Sequence, residues 1–103
     1  MKKDLDIESL KIAVRDINIE DITSRKLNKN ITGAIITDIS NRSPLLNLLS
    51  INDIIIEVQK TSVKNPMDLK RKVDGIFKKG EKTLLLTIIN KNNRRRYLGV
   101  KIN

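Results

Sequence analysis

Three carboxylates, Asp38, Asp53 and Glu57, stand close together on or beside apolar runs, where two of them could trade protons as general acid and base. Their neighbours give them plainer work. Asp38 closes a strand, Asp53 follows Asn52 in a turn where a carboxylate bonds backbone amides, and Glu57 lies on the outward side of a strand. The chain has no His and no Cys. That removes a Ser-His-Asp triad, a His-based or thiolate metal site, and any disulfide. There is no Gly-x-Ser-x-Gly elbow and no Gly-rich phosphate loop. With no activated nucleophile or base to assemble, a binding module is expected, with neither catalytic residue, metal nor cofactor.

The totals fit one domain: 103 residues, 39% hydrophobic, nearly all aliphatic, with Phe77 and Tyr97 the sole aromatics. The formal charge of +9 raises nucleic acid or an anionic surface as a partner. The basic residues are spread out, however, and the densest run, 91–96, falls at a hairpin tip. Two aromatics offer little platform for base stacking, so nucleic acid is not the expected ligand. No apolar run reaches the roughly 18–20 residues of a membrane span. Residues 1–4 have no apolar stretch after them, so the start does not read as a signal peptide. An exported parent would make the chain an excised piece.

The elements that would position a binding site follow from the periodicity. Residues 1–8 mix charge and apolar residues and read as a lead-in, leaving 9–103 as the domain. Residues 10–17 alternate as a strand, with Leu10, Ile12 and Val14 on one face. The polar stretch 18–30 has room for a short helix, with Ile22 and Leu27 facing inward. Residues 31–39 form a second strand, and Gly33 marks a place of backbone freedom or close approach. Ser43-Pro44 has the cap-then-proline signature of a helix start, which predicts a short buried helix over 45–49. Asn52 sits where a left-handed residue is wanted. The near-continuous apolar run Ile54–Val58 predicts a central strand covered on both faces. Residues 61–63 make a small edge strand or turn.

Asn65-Pro66 opens the longest helix, with Leu69, Val73, Ile76 and Phe77 as its stripe. Lys78, Lys79 and Gly80 close it. Strands at 83–89 and 95–102 complete an α+β, mostly β chain: five or six short strands in a small, partly open barrel capped by two helices.

The segment 33–58, GAIITDISNRSPLLNLLSINDIIIEV, resembles the core of a PDZ domain of the bacterial HtrA/Deg serine-protease family, whose usual form is a Gly-hydrophobic strand, Ser-Pro-Ala-Ala, Gly-Leu-x-x-Gly-Asp and a strand. Residues 63–73 resemble that family's V-x-S-x-x-D-L/V-x-x-x-V helix start. Residues 82–89 resemble its K-x-x-L-L-L-V strand, and 96–102 its R-F-V-A-L-R-I ending. The resemblance is greatest to the second, C-terminal PDZ of a two-PDZ Deg protease, and implies the circularly permuted bacterial strand order. Three positions depart from the pattern: Lys11, Leu48 and Asn52 each replace a Gly.

The resemblance implies that an extended peptide adds as a strand beside Leu10, Lys11, Ile12, Ala13 and Val14 and packs against the 66–77 helix. Ile12 and Val14 would floor the groove and Val73 would wall it. Met67 and Lys70 would meet the upstream part of the peptide. Amides of residues 9–12 would hold a terminal carboxylate. With no His at the helix start, a Ser/Thr-selecting mode is not implied. The implied setting is the bacterial periplasm or cell envelope. The implied partners are unfolded segments, C-terminal tails, or neighbouring PDZ or protease domains. Two alternatives stay open: a basic nucleic-acid or anionic-surface binder, and a PDZ of another envelope protease or secretion component.

Overall fold

The computed structural model describes residues 4–102. Met1, Lys2, Lys3 and Asn103, which fall in the predicted lead-in and at the end of the predicted domain, lie outside the described residues. Seven strands form one antiparallel sheet in the order β1-β2-β3-β4-β6-β7, with β5 paired to β4. The strands are β1 (Leu5–Ile7), β2 (Ile12–Arg15), β3 (Ala34–Ile39), β4 (Ile54–Val58), β5 (Thr61–Ser62), β6 (Thr83–Ile89) and β7 (Arg95–Lys101). Two helices, α1 (Ile19–Arg25) and α2 (Pro66–Lys78), accompany them. The mostly β, PDZ-like class expected from the sequence is the one observed.

β4 explains how a run of three isoleucines stays dry. Ile55 and Val58 face the principal core with Val14, Ile36, Leu69 and Val73. Ile54 and Ile56 point the other way, into a smaller core with Ile35, covered by Ile17, Leu27, Ile31 and Ile89. A strand buried on both faces needs no polar alternation, as predicted. Leu27 packs inward as expected, while Ile22 is only half-buried and joins neither cluster.

Gly33 is required where β3 approaches β4. Its φ is +147°, and a Cβ there would lie 2.4 Å from the Ile55 carbonyl oxygen, a distance no side chain tolerates. Asn52 holds the left-handed turn expected of it, at φ +80°.

The helix termini follow their sequence signals. Asn65 accepts the Asp68 amide at 2.8 Å and Pro66 fills the first position of α2. Gly80 at φ +75° ends the helix. Asn18 and Asp21 form a reciprocal capping box at α1. The Arg25 guanidinium, at the far end of α1, donates to the Asn52 and Asn90 carbonyls and ties the helix to two loops.

Two expectations are corrected. Residues 45–49 form turns with an isolated Leu46–Leu49 bridge, not a buried helix. One helical turn starts, with the Leu49 amide reaching the Leu45 carbonyl at 3.0 Å, but Asn47 is left-handed at φ +71° and stops it. Leu45 and Leu49 are buried there, and Leu46 and Leu48 are exposed. Residues 4–8 are not a loose lead-in. Leu5–Ile7 pairs with β2 in register Leu5↔Val14, Asp6↔Ala13, Ile7↔Ile12, and Ile7 is fully buried in the principal core. Burial of a complete aliphatic side chain stabilises by about 1.5–3 kcal/mol, which is what orders this short strand.

Candidate functional site

β2 supplies the residues predicted to floor a groove, and α2 those predicted to wall it. Leu10, Ile12, Val14 and Val73 come together, all buried in the principal core. Ala13 turns to the opposite side, opposite Asp6 on β1 and Asp38 on β3. Met67 is 51% exposed at the start of α2. Lys70 lies one turn further on, its Nζ 2.8 Å from Asp74 Oδ2. So five of the eight predicted residues, Leu10, Ile12, Ala13, Val14 and Val73, are covered, and Lys11, Met67 and Lys70 reach the surface.

The cover is β1. Both edges of β2 are paired, one with β3 and the other with β1, and α2 packs against β1 as well as β4. β1 therefore lies in the slot between β2 and α2, antiparallel to β2. Leu5 and Ile7 pack on the principal core while Asp6 faces out, the alternation a strand imposes. Sequence reasoning passed over Leu5 and Ile7. The signal available was this Leu-Asp-Ile alternation, too short to stand out beside its charged neighbours.

The loop predicted to bind a carboxylate, residues 9–12, spans the tight turn 8–11 that joins β1 to β2 and the first residue of β2. The Leu10 amide donates to the Ile7 carbonyl at 3.1 Å, and the Lys11 amide to the Glu8 carbonyl at 3.2 Å. Lys11 stands at φ +54°. That conformation is the physical reason a Gly suits this position, and Lys adopts it at some cost. Its carbonyl accepts from the Ser40 amide at 3.0 Å, and the Leu10 carbonyl accepts from the Ser43 hydroxyl at 2.6 Å. The turn is thus fixed from below by the β3–β4 connection. Ser9 Oγ reaches Asp74 Oδ1 at 3.4 Å and joins the turn to α2.

The slot continues past β1. A cavity of about 360 Å³ opens beside Leu5, Val14, Arg15, Asn65, Pro66 and Met67. Arg15 at its rim makes a bidentate bond to Asp21, both contacts 2.8 Å, and this bond raises the guanidinium pKa. On α2, the hydrogen bond and the charge of Asp74 raise the Lys70 ammonium. Asp68 is held below the usual carboxylate range, first by the Lys64 backbone amide at 2.9 Å and then by Lys72 at 3.1 Å.

The carboxylates considered for acid–base work are placed as strand and turn residues. Asp53 accepts the Ser50 amide at 2.9 Å, and Asp38 and Glu57 lie on β3 and β4. Among the described residues, no group of three His, Cys, Asp or Glu could hold a metal ion, and no helix is long and apolar enough to cross a membrane. The basic run 94–96 is exposed on the β6–β7 hairpin, away from the slot.

No protein-family model matches the chain, and no curated protein does. A solved structure is similar: the HtrA3 PDZ domain bound to a phage-derived ligand, FGRWV. The superposition has a TM-score of 0.64 at 20% identity and covers 97% of this chain and 83% of that one. On the sheet order, the slot between β2 and α2 and this likeness together, the chain has a PDZ-like fold.

Proposed function

We propose that this domain is a non-catalytic peptide-binding module that takes extended segments, hydrophobic C-terminal tails among them, by strand addition beside β2. The observation that carries the reading is the slot itself. It has the width of one strand, runs between β2 and α2, and already accommodates three residues of extended backbone in the antiparallel sense. Backbone pairing supplies affinity without regard to sequence, and alternate side chains supply selectivity. The similar HtrA3 PDZ domain was solved with a peptide, which supports the same use here.

The finer assignment is a PDZ, most like the second one, of a periplasmic or cell-envelope HtrA/Deg-type serine protease. There the domain would handle unfolded substrates or dock on neighbouring PDZ or protease domains. The motif resemblance across residues 33–58, 63–73 and 96–102 supports it.

The test is an amide-shift titration with peptides ending in free hydrophobic carboxylates, repeated with amidated ends. Shifts at Ile12–Arg15 and Val73, weakened by amidation, are expected. Silence at these residues with both peptide sets, with shifts only at the basic hairpin, would replace the reading with anionic-surface binding.

A further inference from the structure

We infer that Leu5–Ile7 is a tethered ligand of the chain's own slot, and that an external peptide binds by displacing it. The inference rests on the peptide-binding reading above and adds a competitor built into the chain. Four observations carry it. First, β1 occupies the edge of β2 at which a peptide would add. Second, its side chains alternate as a bound tail's would: Ile7 fully buried, Leu5 packed on the core, Asp6 exposed. Third, the Leu10 and Lys11 amides, donors suited to a terminal carboxylate, are already taken by the Ile7 and Glu8 carbonyl oxygens. Fourth, β1 begins at Leu5, and among the described residues a cavity lies beyond that end beside Val14, Pro66 and Met67.

The fourth point says how an exchange starts. A longer peptide lays its upstream residues along the open cavity and then replaces Leu5 and Ile7 with its own. The occupant also states the class of tail preferred: aliphatic at the last and third-last positions, as Ile7 and Leu5 are, with a polar residue between.

A turn of a few residues gives β1 a high effective concentration at the slot. A displaced state populated below about 10% weakens every external ligand by at least about tenfold. The probe for the test is the free hexapeptide of residues 2–7, labelled at its amino end and ending in the Ile7 carboxylate. Its binding to the full chain is followed by anisotropy. In one variant, Leu5→Ser with Ile7→Ser, β1 loses its apolar anchors. In the other, Asp6→Cys with Ala13→Cys, a disulfide between directly opposed residues locks β1 to β2. The chain has no other Cys, so this bond is the single one formed.

The unanchored variant is expected to bind at least about tenfold tighter than wild type. The oxidised variant is expected to bind at least about tenfold weaker than its own reduced form. Equal affinity in the oxidised and reduced forms, or no gain in the unanchored variant, overturns the inference while leaving a peptide site standing. No binding by any form, with folded amide spectra throughout, overturns the peptide-binding reading and the inference with it. If the serine variant does not fold, the oxidised and reduced forms decide alone.

Discussion

At one end of the sheet, β1 contributes three residues, and its edge is covered by α2. At the other, β7 contributes seven, matched residue for residue with β6 from Thr83↔Lys101 to Ile89↔Arg95. Among the described residues no strand pairs with the outer edge of β7. Arg95, Arg96, Tyr97 and Lys101 are exposed there, and Tyr97 is 70% accessible. The longer, better-paired strand is the one left to solvent, and cations guard it against stray pairing. The shorter is the one enclosed. On the proposed reading, what fits the first end for binding is a slot of one strand's width with an apolar floor. The second has only a charged rim, so an exposed edge is a poor guide to a ligand site.

The contrast can be broken most directly by core truncation. Leu69→Ala on the slot side removes a fully buried side chain and is expected to cost about 2–5 kcal/mol in urea unfolding. Tyr97→Ala at the other end should stay within about 0.5 kcal/mol. Comparable losses would mean the two ends are not energetically distinct.

Asp68→Asn is expected to cost about 1.5–3 kcal/mol near neutral pH, because it breaks charge-assisted bonds to Lys64 and Lys72. The folded pKa of Asp68 lies below its ordinary 3.8. Its contribution is therefore complete above that value and lost as the pH falls through the lower, folded one. Urea midpoints of wild type and variant should accordingly converge as the pH falls below 3.8 and through the lower, folded value. A gap independent of pH would remove the ionic part of this account.

Lys11→Gly relieves a left-handed side chain at the turn. It is expected to stabilise by up to about 1 kcal/mol, net of the extra chain entropy of Gly. Destabilisation would show that the Lys11 side chain, not its backbone, holds the turn. A gain of similar size is expected of Gly75→Ala in α2, where an added Cβ meets no atom within 4 Å. It amounts to about 0.5–1 kcal/mol in thermal stability. A loss would place unseen crowding on that face of the helix.

Much of the fold was legible because its signals are local. Asn65-Pro66, Lys79-Gly80, Gly33 and Asn52 each announce a backbone conformation that few other residues supply. The run at 54–58 announces two-sided burial. The misread pieces are those where residue type and conformation part company. Leu45 to Leu49 look like a helix until Asn47, a residue that tolerates it, turns left-handed. Leu5–Ile7 is too short for periodicity to register, and its order comes from contacts with β2 and α2 that no local window contains. The candidate site was legible in part for the same reason. Ile12, Val14 and Val73 have the composition of a groove floor and equally of a core. In this chain they lie beneath a strand from the same chain.

The brevity of the β1–β2 turn also sets a clock. Hairpins of this kind close in about 1–10 μs. A peptide at about 1 μM, associating at about 10⁵–10⁷ M⁻¹s⁻¹, arrives once in about 0.1–10 s. If tails displace β1 as inferred, it would open and reclose many times between encounters. An observed association rate would then stay linear in peptide concentration with no plateau, and would be scaled down by the small fraction of time the slot stands open. Strengthening or weakening β1 would tune how fast tails are captured while leaving the lifetime of a bound tail almost untouched.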